Sequence, residues 1–242
     1  MRHRPDTSLL ALIGGFAASL TACGGGAGGG AVPAAAQYDL QAAYVNRANS
    51  GLKANVALSG TTSVNGVSTP FSGTGTLVVA PAAPATFNGS PVLAQVEVIS
   101  GTVTAAGQFE PYSAVVTHEY APGTYAVLGE SASGEFDLAQ VPFNYPTSLV
   151  TDPSGLLGTL NRYMDASLGV SLGTAQLSYA VSLNPVDPGS PLQVRITRKV
   201  FDTQGALTET DVTTYALTAG SQMSFVSVTA QSASGAVTIT AQ

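Results

Sequence analysis

Beyond Gly51 the chain alternates between short runs rich in Val, Thr, Ile and Tyr and small clusters of turn residues, and this punctuation constrains the fold more than any other feature. Residues 53–64 and 67–80 flank Asn65-Gly66, the strongest two-residue hairpin signal. Residues 95–104 and 108–120 flank a turn ending at Gly107, and shorter strands fit 124–128 and 135–141. Further strands fit 175–183, 192–201, 206–217, 223–230 and 236–240, with a clean hairpin around Asp202-Thr203-Gln204-Gly205. Leu192, Val194, Ile196 and Val200 alternate with Gln193, Arg195, Thr197 and Lys199, which gives one core face and one wet face. Residues 155–164 are ambiguous, since Leu156, Leu160 and Tyr163 suit a helix while Gly158 and Thr159 weaken one. One helix fits near the start. Asp39 caps it, Leu40, Ala43, Tyr44 and Ala48 share a face, and Gly51 ends it. Consecutive hairpins favour an all-β antiparallel meander. About ten strands in one sheet must curl or split, so the expectation is a strongly curved open barrel or a two-sheet sandwich, with the short N-terminal helix against one face or edge.

The chain divides by composition. Residues 24–36 are almost entirely Gly and Ala and cannot bury a core, so residues 23–37 read as a flexible tether. Residues 38–242 then form a single β-rich domain. Gly73-Thr74-Gly75-Thr76-Leu77 is echoed by Gly173-Thr174-Ala175-Gln176-Leu177, and Gly89-Ser90-Pro91 by Gly189-Ser190-Pro191. Two similar halves, about 53–150 and 165–242, are one reading of these echoes. The other is that all-β chains space their turns regularly and draw on few residue types.

Residues 1–22 have the layout of a secretory signal. Arg2, His3 and Arg4 give a cationic start, and residues 9–20 form an apolar stretch too short to span a bilayer. The segment ends Leu20-Thr21-Ala22-Cys23, which resembles the lipobox of bacterial lipoproteins. The resemblance implies that the Cys23 thiol takes a diacylglycerol before cleavage and that fatty acyl chains such as palmitate then hold the chain to a membrane. Cys23 is the only cysteine and is followed by Gly24-Gly25-Gly26, so it has no core to enter and no disulfide partner. Gly24, where Asp commonly signals inner-membrane retention in such lipoproteins, implies the outer membrane, facing the periplasm or the cell surface.

Charge narrows the partners. Without Arg2, Arg4 and Asp6, six basic and 13 acidic residues remain, a net charge of −7. Nucleic acid needs a basic patch, and none is expected here. Electrostatic binding to anionic lipid is disfavoured on the same ground.

The chemistry-bearing residues are sparse. His118 is the one histidine after the signal and reads as a partly exposed strand residue rather than a base. Gly169-Val170-Ser171-Leu172-Gly173 matches a nucleophile elbow, but no histidine follows Ser171 as that order requires. The acidic residues are not expected to cluster, and Asp152, Asp187 and Asp202 sit in turn contexts. Arg195, Arg198 and Lys199 read as cations on a solvated edge strand. No catalytic set, metal site or cofactor site is expected, and Cys23 is the one assigned residue. The expected function is a non-enzymatic binding or assembly role in the envelope, with an apolar ligand or an envelope protein as partner, and a lipoprotein or lipid carrier as one version. A hydrolase with a dispersed site and a surface adhesion or structural module are the alternatives. An outer-membrane pore ranks last, because the chain ends Thr240-Ala241-Gln242 without a terminal aromatic.

Overall fold

The computed structural model describes residues 38–64, 67–149, 153–182 and 191–242. It opens with one helix, α1 (Leu40–Ser50). The Asp39 carboxylate accepts the Ala42 N–H at 2.8 Å and Gly51, at φ 66°, donates its N–H to the Arg47 carbonyl, so both ends are capped as the sequence predicts. Thirteen strands follow. The first five are β1 (Leu52–Val64), β2 (Val67–Val79), β3 (Ala83–Phe87), β4 (Ser90–Ala105) and β5 (Gln108–Tyr120). Then come β6 (Val127–Ala132), β7 (Glu135–Phe143), β8 (Ser154–Tyr163) and β9 (Ser171–Ser182). The last are β10 (Leu192–Phe201), β11 (Leu207–Leu217), β12 (Met223–Ser232) and β13 (Gly235–Ala241).

The expected antiparallel meander is present, and it goes one step further than an open barrel. Each strand from β4 to β13 pairs with the next, β13 pairs with β1, β1 with β2, and β2 with β4, so 12 strands close into a barrel. β3 stands outside the ring, paired to the first residues of β4. The closing seam explains itself sterically. Gly75 lies opposite Gly101, and a Cβ at Gly73, Gly75 or Gly101 would overlap a carbonyl of the facing strand. Only glycine permits that approach, and it lets the sheet bend sharply enough to meet itself.

Three further departures have physical causes. The ambiguous segment is strand β8, because β7 and β9 supply ladder partners on both sides and Gly158 leaves room for the Phe143 ring. β3 gives no strand signal in the sequence, because Pro84 within it and Pro81 just before it lower strand propensity. β10 is not an edge strand: it lies between β9 and β11. The Asn65-Gly66 turn, Asp152 and Asp187 lie outside the described residues.

The helix crosses one end of the barrel rather than a face. Its groups meet the connections there: Ala82 N–H donates to Ala48 O, Leu40 N–H to Pro146 O, Gln41 Nε2 to Thr124 O and Asn46 Nδ2 to Ser221 O. Tyr44 stacks on Tyr145 at 3.6 Å between centroids and meets the edge of Tyr215. Below this cap Leu58, Leu77, Ile99, Leu217 and Ile239 fill the lumen, each almost fully buried. The outer wall is mixed: Lys53, Asn55, Gln176, Gln193, Arg195, Lys199, Thr229 and Gln231 face water, and Val78, Val96, Val115, Val141 and Leu156 are exposed among such polar residues. A lipid-facing barrel needs an apolar band there. A small second cluster sits outside the ring, where Phe87 of β3 stacks on Phe136 at 4.5 Å beside Val92.

Candidate functional site

The half of the lumen away from α1 is charged. On β7, Glu135 and Asp137 point inward on either side of outward-facing Phe136, and on β11 Glu209 and Asp211 do the same around Thr210, as the period of two dictates. Arg198 reaches from β10 to both pairs. Its Nη2 donates to Glu135 and Asp137 at 2.8 Å each, and its Nη1 lies 3.7 Å from Glu209 and 3.5 Å from Asp211. Arg162 of β8 grips Glu135 through two hydrogen bonds of 2.8 and 2.7 Å. Toward the helix a second group follows. Arg47 of α1 donates to Glu97 at 2.7 Å, and His118 of β5 lies between Glu97, at 3.6 Å, and Glu130, at 3.3 Å. Between the two groups, Val116, Glu130, Glu135, Asp137 and Arg198 line a pocket of about 10 Å³, room for about one water molecule.

Burial sets the protonation here. Burial opposes charge on His118, but the carboxylates of Glu130 and Glu97 on either side outweigh that and raise its pKa to about 9. Burial likewise opposes ionisation of Glu135, yet the bonds from Arg162 and the charge of Arg198 bring it down to about 2. Asp137 goes the other way. Burial pushes it up, Arg198 pulls it down, and the charges of Glu135 and Glu130 leave it at about 8. Asp211 is held well above the usual carboxylate range by burial and by Glu209, and Glu209 is raised by burial although Arg198 opposes it. The guanidinium nearest them is already committed to β7, which is why it rescues neither.

This arrangement corrects three readings of the sequence. His118 is only 5% exposed and carries a proton at neutral pH, so it is neither a partly exposed strand residue nor a free base. The acidic residues cluster in space, through the alternation in Glu135-Phe136-Asp137 and Glu209-Thr210-Asp211. Arg198 faces inward, in phase with Val194, Ile196 and Val200, whereas Arg195 and Lys199 face water. That phase was visible in the sequence. Ser171 is exposed, and its Oγ accepts the Gly173 N–H at 3.2 Å, a local turn contact. Asp202 sits in its hairpin turn as expected, accepting the N–H groups of Gln204 and Ala206. Cys23 lies outside the described residues. Among the described residues no three His, Cys, Asp or Glu side chains are arranged to hold a metal ion.

No known protein family matches the chain, and no curated protein is similar to it. Among solved structures it superposes loosely on a domain described as an outer membrane lipoprotein-sorting protein from Vibrio parahaemolyticus, at 9% identity and a TM-score of 0.30, covering 84% of this chain and 90% of that one. A DUF1329 family protein from Desulfovibrio piger gives 8% identity and a TM-score of 0.27, covering 83% of this chain and 88% of that one. Likeness this slight transfers no site and no activity.

Proposed function

We propose that this chain is a non-enzymatic binding or assembly protein of the cell envelope, held to a membrane through lipid on Cys23. The observation that carries the reading is how its titratable groups are used. His118 is clamped between Glu97 and Glu130, and the inward acids of β7 and β11 converge on Arg198, so the titratable groups of the lumen face one another and not an open cleft. The many polar side chains of the wall suit a barrel standing in water at the end of a tether, with recognition left to its surface. A carrier for an apolar ligand is the second reading, favoured by the apolar half of the lumen beneath α1. A ligand there would have to take the place of Leu40 and Tyr44, which now fill it.

Two measurements test these readings on the full-length chain expressed in a bacterial host. Labelled palmitate is incorporated by the wild type and lost in Cys23→Ser, which leaves the membrane for the soluble fraction; a Cys23→Ser chain that stays membrane-bound would remove the tether. Native mass spectrometry of that released variant then decides between carrier and surface binder. A bound lipid mass supports the carrier, and a bare chain mass supports recognition at the surface.

A further inference from the structure

We propose that the charged end of the lumen is a proton-dependent latch: the pairs Glu135/Asp137 and Glu209/Asp211 each hold one shared proton, and this end of the barrel loosens when those protons leave. Four inward carboxylates stand within ion-pair reach of two guanidinium groups, Arg162 and Arg198. Arg162 is committed to Glu135 and Arg198 gives its short bonds to β7, which leaves Glu209 and Asp211, two charges in a largely buried space, with only the longer 3.7 and 3.5 Å reach of Arg198 between them.

Among the described residues no neighbouring element supplies the missing charge. Beyond the pairs, β6 presents Glu130, already matched by His118 of β5, and Glu97 of β4 is matched by Arg47 of α1. The inward residues paired with this region on β9 and β12 are Gly173, Ala175, Ala230 and Ser232, all uncharged. Asp211 is 5% exposed, and neither of its carboxylate oxygens has a hydrogen-bond partner; Glu209 Oε1 and Asp137 Oδ1 are in the same position. A buried, unpaired carboxylate takes up a proton rather than stay charged. A proton between adjacent carboxyl groups turns repulsion into a hydrogen bond and gives one oxygen of each group a partner. The raised affinity of Asp137, Glu209 and Asp211 for protons agrees with this. Because the pairs sit on β7 and β11 and Arg198 on β10 spans them, losing the protons sets like charges against each other across the lumen.

The test begins with the wild-type chain, where no variant can fail to fold. The infrared carbonyl band of protonated carboxyl groups is expected in the folded protein at pH 7 and is expected to vanish on unfolding at the same pH. Its absence from the folded protein at pH 7 would overturn the proposal. The second measurement is the thermal midpoint of Asp211→Asn, which keeps the shape and removes the titrating charge. At pH 8 it is expected to exceed the wild type by about 3 °C or more, with the difference shrinking toward pH 5. A variant shifted equally at every pH, or destabilised most at pH 8, would sink the latch. Neither readout depends on lipidation or on the partner, so the latch and the proposed function fail separately.

Discussion

At the scale of single residues, the lumen shows how far one polar side chain can reset its surroundings. Arg47 lies on the face of α1 that also carries Ala43, Tyr44 and Ala48, one turn along from the first two, so the helical period placed it inward even though its charge argues for water. It resolves the conflict by donating to Glu97 at 2.7 Å, lying 5.6 Å from the Tyr44 ring and accepting Gln95 Nε2 on its carbonyl. Pairing of this kind is invisible in a sequence, because Glu97 is 50 residues away. Arg47→Ala is expected to destabilise the fold by about 3–5 kcal/mol, since it takes from the buried Glu97 carboxylate its 2.7 Å partner and leaves His118 at 3.6 Å to balance the charge. Adding Glu97→Gln should recover part of that loss, a non-additivity that denaturant melts of the two single variants and the double variant measure. A loss under about 1 kcal/mol in Arg47→Ala would mean the pair is weaker than its burial implies.

At the scale of elements, propensity and punctuation were enough where a strand alternates cleanly. Residues 108–120 and 192–201 are strands with the bounds the pattern predicts. They were not enough where the deciding force came from another strand. β8 carries two glycines and looks weak in isolation, yet it is held by ladders on both sides. Closure was missed for a related reason: glycines in a strand read as weakening until their partners are known. Gly73 and Gly75 on β2 face β4 directly, with Gly75 opposite Gly101, so their lack of a side chain is what joins the first hairpin to the second. Gly101→Ala would set its Cβ against the Thr74 carbonyl and the Gly75 Cα. The expected result is faster hydrogen exchange of the amides paired between Phe71 and Val79 and their β4 partners, with the β10–β11 ladder protected as in the wild type. Uniform loss of protection through all strands would show instead that the seam is part of one cooperative unit.

At the scale of the whole molecule, the sequence showed a charge-poor β chain but not that nearly half of its acidic residues face one lumen, because the closure that gathers Glu97, Glu130, Glu135, Asp137, Glu209 and Asp211 is a property of the ring. That gathering fixes how the fold responds to pH. Glu119, outside the ring and 4% exposed, is pushed by burial from 4.5 to about 7 although Ser131 donates to it at 2.9 Å. Asp137 moves from 3.8 to about 8 and His118 from 6.5 to about 9. All three shifts are upward, so in each case the folded chain keeps a proton that the unfolded chain has released. Their stabilising effect is fully present below the unfolded pKa values and is lost as pH climbs through about 7, 8 and 9 in turn. Glu135 is the counterweight. Lowered from 4.5 to about 2, it favours the fold above its ordinary pKa and stops doing so as pH falls toward 2. The two trends meet in mildly acidic solution. Thermal midpoints of the full chain measured at constant ionic strength are expected to peak near pH 5 and to fall steadily to pH 9, with His118→Gln flattening only the upper part of that fall. Midpoints that rise from pH 5 to pH 9 would show that the lumen is held together by ionised pairs alone and that its excess carboxylates are solvated rather than protonated.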